Sequence, residues 1–126
     1  QDSFDIIVVS HVLEHLKSCR DVFINLKRIL SKNGILFIDV PNCMNDQELQ
    51  NSINTQPHTF HFSKKSLDEL ADSCGFKVIK SDIYYGRVKT MSDHLKYLLF
   101  WILRKDYFSS STEDRGNYIR LLITHK

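Results

Sequence analysis

Two kinds of apolar pattern alternate along this chain. Residues 6–9 (IIVV) form an unbroken β-branched run, the pattern of a parallel strand covered on both faces. A dense polar group follows at once: Ser10, His11, Glu14 and His15. The period then changes. Val22, Leu26, Ile29 and Leu30 recur at helical spacing while Arg20, Lys27 and Arg28 fall on other faces, which predicts a helix over residues 19–31. Ser18 is its expected N-cap, with Asp21 three residues on as a capping-box carboxylate, and Asn33-Gly34 is its expected end. Residues 35–40 (ILFIDV) predict a second buried strand, stopped by Pro41. Strand, helix and strand with short connections predict a right-handed βαβ unit.

Residues 43–56 are polar and weakly periodic, enough for one short helix and a loop. An aromatic and imidazole cluster follows in His58, Phe60, His61 and Phe62. Ser63 caps a second helix whose apolar face is Leu67, Leu70, Ala71 and Cys74, with Gly75 as the expected left-handed residue after it. Residues 76–85 (FKVIKSDIYY) predict a third strand. Residues 89–107 carry a broad helical stripe of Met91, Leu95, Leu98, Leu99, Ile102 and Leu103, and the SSSTEDRG stretch reads as a solvated loop. Residues 117–124 (NYIRLLIT) predict a final strand.

A length of 126 residues with 42% hydrophobic content leaves room for one domain with a modest core. A net charge of +2 gives no electrostatic argument for a nucleic-acid partner. No apolar run is long enough to span a bilayer, so no integral membrane segment is expected. Cys19, Cys43 and Cys74 are widely spaced and odd in number, which favours reduced thiols and a cytoplasmic setting over a disulfide framework.

In an open α/β sheet, ligands bind beyond the carboxyl ends of the strands, where the group at His11, Glu14 and His15 falls. The strand FDIIV running into HVLEHL, the segment KNGILFIDVPN and the element HTFHFS ahead of a helix ending in CGF occur here in order. Together they resemble the second half of a class I S-adenosylmethionine-dependent methyltransferase, in its HxxHFS-containing subgroup. That resemblance implies an α/β, Rossmann-like methyltransferase fold, C-terminal part only. The first strand would be central in the complete domain, and the last two would form an antiparallel edge hairpin with the final strand next to the second. It implies one partial domain over residues 1–126, with 88–115 as a lid or specificity insert. The family's glycine-rich cofactor loop lies upstream, and no GxGxG-like stretch occurs here. A first strand that is central in the whole domain leaves an open edge when nothing precedes it, so self-association of the chain is expected.

By the same resemblance, Ser10, His11 and Val12 match positions near the methionine part of S-adenosylmethionine, and Pro41 and Asn42 match the segment bordering the acceptor. His58 and His61 are candidate general bases on a nearly equal footing, the alternative for each being an imidazole that anchors a loop over the sheet. The spacing of His11, Glu14 and His15 puts all three on one face of a helical turn, a suitable ligand set for a divalent metal. Some relatives hold a metal at this turn with Glu in place of His11, and take a further histidine from the later loop, where His58 would match. The alternative is that Glu14 and His15 only hydrogen-bond locally. Asp39, buried on a strand, needs a partner or costs stability, and so either reaches the site or is satisfied structurally. The activity implied is methyl transfer to an oxygen or nitrogen of a small-molecule, sugar or lipid-linked acceptor. A non-catalytic methyltransferase-like binding module and another Rossmann-like nucleotide-binding enzyme are the alternatives.

Overall fold

The computed structural model describes residues 3–54, 58–84 and 116–126, together with Leu99. The expectations for residues 85–115, including the apolar stripe and the lid or insert, therefore lie outside the described residues, Leu99 apart.

The elements run β1 (Phe4–Ser10), a 3-10 turn (Leu13–His15), α1 (Cys19–Ile29), β2 (Leu30–Pro41), α2 (Asp46–Asn54), α3 (Lys64–Ser73), β3 (Phe76–Tyr84) and β4 (Tyr118–His125). The sheet order is β1-β2-β4-β3. β1 runs parallel to β2, and β4 is antiparallel to both β2 and β3. The final strand thus inserts beside the second, as the resemblance implied.

Two helices begin as their sequences dictate. The Ser18 hydroxyl accepts from the Asp21 amide, and Ser63 and Ser66 form a reciprocal capping box at α3. Gly75 ends α3 with φ +81°, the left-handed backbone that glycine adopts without strain. Asn45 caps α2, its side-chain oxygen accepting from the amides of Gln47 and Glu48.

The expected end of α1 is corrected. The helix stops at Ile29, and Leu30 through Gly34 already belong to β2. Leu30 pairs with Phe4 across the sheet, and the register shifts between Phe4 and Ile6 to accommodate the early start. Gly34 is therefore a buried strand residue rather than a helix terminator. A Cβ there would lie 2.8 Å from a Leu30 methyl carbon and 3.0 Å from the Phe4 carbonyl oxygen, so close backbone approach requires glycine.

The two faces of β2 serve different layers. Leu36, Ile38 and Val40 join Leu13, Phe23, Leu67, Phe76, Ile119, Leu121 and Ile123 in the main core under α1 and α3. Phe23 and Phe76 meet edge to face with centroids 5.9 Å apart. Lys27 links the helices by donating to the Gly75 carbonyl at 2.8 Å. On the opposite face Phe37 packs on Leu122, and Asp39 stands across from Arg120. β1 borders only β2 among the described strands, and its Phe4, Ile6 and Val8 are exposed.

Candidate functional site

The parallel pair β1–β2 ends at Ser10 and Pro41, and a cavity of about 390 Å³ opens beyond these ends. Its walls include His11, Pro41, Glu48, Ser52, His58 and Tyr118. His11 leaves β1 with φ +51°, a left-handed backbone rare for a side-chain-bearing residue and worth about 1–2 kcal/mol of strain. Its amide donates to the Asp39 carbonyl at 2.9 Å, which fixes the sharp exit from the strand. Its ring meets Tyr118 edge to face at 5.3 Å.

The turn that follows is a single turn of 3-10 helix, so His11, Glu14 and His15 do not share an α-helical face. Glu14 is 1% exposed, while His15 is exposed. Neither carboxylate oxygen of Glu14 has a hydrogen-bond partner among the described residues. His11 Nδ1 stands 3.4 Å from Oε1, a charge contact rather than a made hydrogen bond. That contact comes first in holding His11 above the usual histidine range, with Asp39 and Glu48 adding to it and burial opposing it.

The loop carrying His58 is clamped onto this turn. The Thr59 and Phe60 amides both donate to the Glu14 carbonyl, at 2.7 and 3.1 Å. His58 consequently reaches the turn, its ring edge to face with His15 at 4.6 Å. Ligand atoms of Glu14, His15 and His58 all lie within 4.8 Å of one another. A buried carboxylate with no close hydrogen bond, beside two imidazoles, fits a divalent metal of borderline character. Of the four predicted ligands, His11 stands outside this group and only beside Glu14.

His58 and His61 are brought together by a residue that sequence reasoning passed over. Ser52, 2% exposed near the end of α2, places its hydroxyl 2.6 Å from His58 Nδ1 and 3.0 Å from His61 Nδ1. His61 is exposed and its Nδ1 also lies 3.8 Å from Cys43 Sγ. Burial lowers the His58 pKa and raises that of the Cys43 thiol. No sequence signal singled out Ser52, because the contact depends on α2 folding back over the histidine loop.

Ser10 ends β1 opposite Asp39, and Val12 is 44% exposed. Asn42 is fully buried, its side-chain amide donating to the Gly116 carbonyl at 2.7 Å and its oxygen accepting from Met44. Its backbone amide donates to Asn117, whose own side chain holds Glu48 at 2.7 Å. Asn42 therefore binds the end of β2 to the start of β4 and steadies one cavity wall.

Beneath the cavity sits a buried charged cluster. Tyr84 donates its hydroxyl toward both oxygens of Asp39, at 2.9 and 3.1 Å, and the Arg120 guanidinium lies 3.7 Å over the Tyr84 ring. Of the two readings of Asp39, this is the structurally satisfied one. Burial first, and the Asp39 charge second, push the Tyr84 phenol well above its usual range.

The three cysteines are unpaired, Cys19 and Cys74 being buried. Burial raises the Cys19 thiol to about 11. No described helix is long and apolar enough to cross a membrane.

Residues 1–81 match the family described as a methyltransferase domain. No curated protein matches the chain. Solved structures similar to it include an S-adenosylmethionine-dependent methyltransferase from Archaeoglobus fulgidus, with 15% identity and a TM-score of 0.61 over 97% of this chain. A Thermotoga maritima enzyme described as a possible histamine N-methyltransferase gives 16% identity and 0.68 over 99%. An S-adenosylmethionine-dependent methyltransferase from Mesorhizobium loti gives 14% and 0.63 over 98%. The chain spans 59%, 57% and 62% of those three structures respectively.

Proposed function

This chain belongs to the methyltransferase domain family, and on that premise we propose that it serves S-adenosylmethionine-dependent methyl transfer to an oxygen or nitrogen of a small acceptor. The observation that carries the reading is the polar cavity at the carboxyl ends of β1 and β2, the position at which open α/β sheets bind ligands. S-adenosylmethionine, when bound, supplies a sulfonium methyl for in-line displacement by the acceptor. The chain's own residues bind and orient. Ser10, His11 and Val12 border the methionine end of the cofactor, with the left-handed backbone of His11 turning the chain away from the strand. Pro41 lines the acceptor side, and Asn42 holds that wall in place through Gly116 and Asn117. His58 and His61 are the candidate bases that take the acceptor proton, and alignment supplies most of the rate for a good nucleophile.

The cavity walls are polar and include Glu48, which favours a hydroxylated or amine-bearing small molecule over a nucleic acid. Three unpaired thiols support a reducing compartment such as the cytoplasm. The exposed Phe4, Ile6 and Val8 on the outermost described strand support association through this edge.

A second reading concerns metal, and the buried Glu14 carboxylate, which makes no close hydrogen bond among the described residues, favours it. Glu14, His15 and His58 would hold a divalent ion that orients the acceptor hydroxyl, with His11 supporting Glu14 from the side.

Calorimetric titration of S-adenosylhomocysteine into the full-length protein tests the main reading. Micromolar binding is expected. A folded protein that binds none would overturn it in favour of a non-catalytic partner-binding module. Manganese titration tests the second reading, which requires binding that Glu14→Gln abolishes.

A further inference from the structure

A serine hydroxyl carries a single proton, yet Ser52 Oγ lies within hydrogen-bond distance of two imidazole Nδ1 atoms, those of His58 and His61. The hydroxyl can donate to only one ring, so at least one ring must donate Nδ1–H to it; the other either accepts the hydroxyl proton at a bare Nδ1 or donates to the oxygen's second lone pair. In the first of these arrangements the two neutral rings hold opposite tautomers. With Ser52 only 2% exposed, water gives no easy substitute for either bond.

We propose that Ser52 is a positioning residue that fixes His58 as the Nδ1–H tautomer and His61 as the Nε2–H tautomer, leaving His58 Nε2 bare for the cavity. The inference rests on the methyl-transfer reading only for its functional meaning; the tautomers rest on the contacts of Ser52, His58, His61 and Cys43. Two observations choose this arrangement over its reverse. Cys43 Sγ lies 3.8 Å from His61 Nδ1, and its thiol, kept protonated by burial, faces a bare Nδ1 there more favourably than an N–H. His58 lines the cavity while His61 is exposed, so a bare Nε2 is useful only on His58. Nδ1 of His58 is already committed to Ser52.

The consequence separates two histidines that sequence spacing left equivalent. His58 is the imidazole that accepts a proton or ligates a cation, through Nε2. His61 acts through Ser52, receiving its hydroxyl proton and thereby keeping the serine oxygen free to accept from His58. The charged and titratable groups facing this pair are Glu14, His15 and His11 around His58, and Cys43 beside His61.

Long-range proton–nitrogen NMR of the full-length, chelator-treated protein reads the tautomers directly at a pH where both rings are neutral. The expected result is Nδ1–H at His58 and Nε2–H at His61. Ser52→Ala is expected to return both rings to rapidly averaged tautomers, and Ser52→Thr, which keeps a hydroxyl, to restore the fixed pair. Nε2–H at His58 or Nδ1–H at His61 in the unmodified protein overturns the proposal, as do fixed tautomers that survive in Ser52→Ala. Should Ser52→Ala fail to fold, the spectrum of the unmodified protein still decides. Because no cofactor is added, this outcome is independent of S-adenosylhomocysteine binding, so the two readings fail separately.

Discussion

Asp39 and Arg120 face each other across β2 and β4, 1% and 2% exposed, with Nε 3.7 Å from Oδ2. That distance is too long for a hydrogen bond, and Arg120 Nε has no hydrogen-bond partner among the described residues. The guanidinium lies 3.7 Å over the face of Tyr84, beside the Asp39 charge. Removing one member strands the other in a dry interior. Asp39→Ala is expected to cost about 3–5 kcal/mol in urea unfolding, at unchanged slope. Adding Arg120→Met should recover part of that loss. A cost for Asp39→Ala below about 1 kcal/mol would mean the pair is solvated after all.

The left-handed backbone at His11 separates the value of its ring from the strain of its position. Both His11→Asn and His11→Val remove the imidazole, but only asparagine tolerates positive φ. His11→Asn is expected to be more stable than His11→Val by about 1–2 kcal/mol in thermal or urea unfolding. Equal stabilities would show that the turn relaxes when the residue changes.

The two perturbed histidines give opposite pH signatures. His11 is raised, first by its contact with Glu14 and further by Asp39 and Glu48, against burial. A raised pKa stabilises the fold fully below the unfolded value of about 6.5, and that contribution is lost as pH rises through the folded pKa. The stability advantage of the wild type over His11→Asn should therefore shrink on going from about pH 6 upward. His58 is lowered by burial, so its protonation opposes folding. His58→Gln should gain on the wild type as pH falls below about 6.5, read in the same unfolding series.

Phe23 is fully buried at the contact of α1 with the sheet and α3, edge to face with Phe76. Phe23→Ala is expected to cost about 3–5 kcal/mol, the loss of transfer energy plus a cavity. Its neighbour Ile24 is 44% exposed, and Ile24→Ala should stay within about 0.5 kcal/mol. Comparable losses for both would place α1 in a different rotation from the one described.

Much of the fold was legible because it depends on local pattern. The β-branched run of β1, the Ser18 and Ser63 caps and the left-handed Gly75 each follow from residues within one turn or strand. The end of α1 was not, because Leu30 leaves the helix to pair with Phe4, a partner that local propensity does not register. At the site, the spacing of His11, Glu14 and His15 suggested one helical face, whereas a single 3-10 turn splits them between buried and exposed positions. Glu14 and His58 meet through the amides of Thr59 and Phe60, and Ser52 meets the histidines through α2. Such contacts across loops leave no period in the sequence. Arg120 was hidden for a related reason: within NYIRLLIT it reads as an outward strand residue, and only its register opposite Asp39 shows it to be internal.

The place of β4 inside the sheet sets an order of events during synthesis. Among the described strands β3 reaches β2 only through β4, so β3 has no strand to pair with in this sheet until Tyr118–His125 has emerged from the ribosome. The pairing of Phe37 with Leu122 closes a long loop, the slow kind of contact in folding. Until then the nascent chain displays the bare edge of β2, with its apolar Leu36, Phe37 and Ile38, as a surface for chaperones or for stray strands.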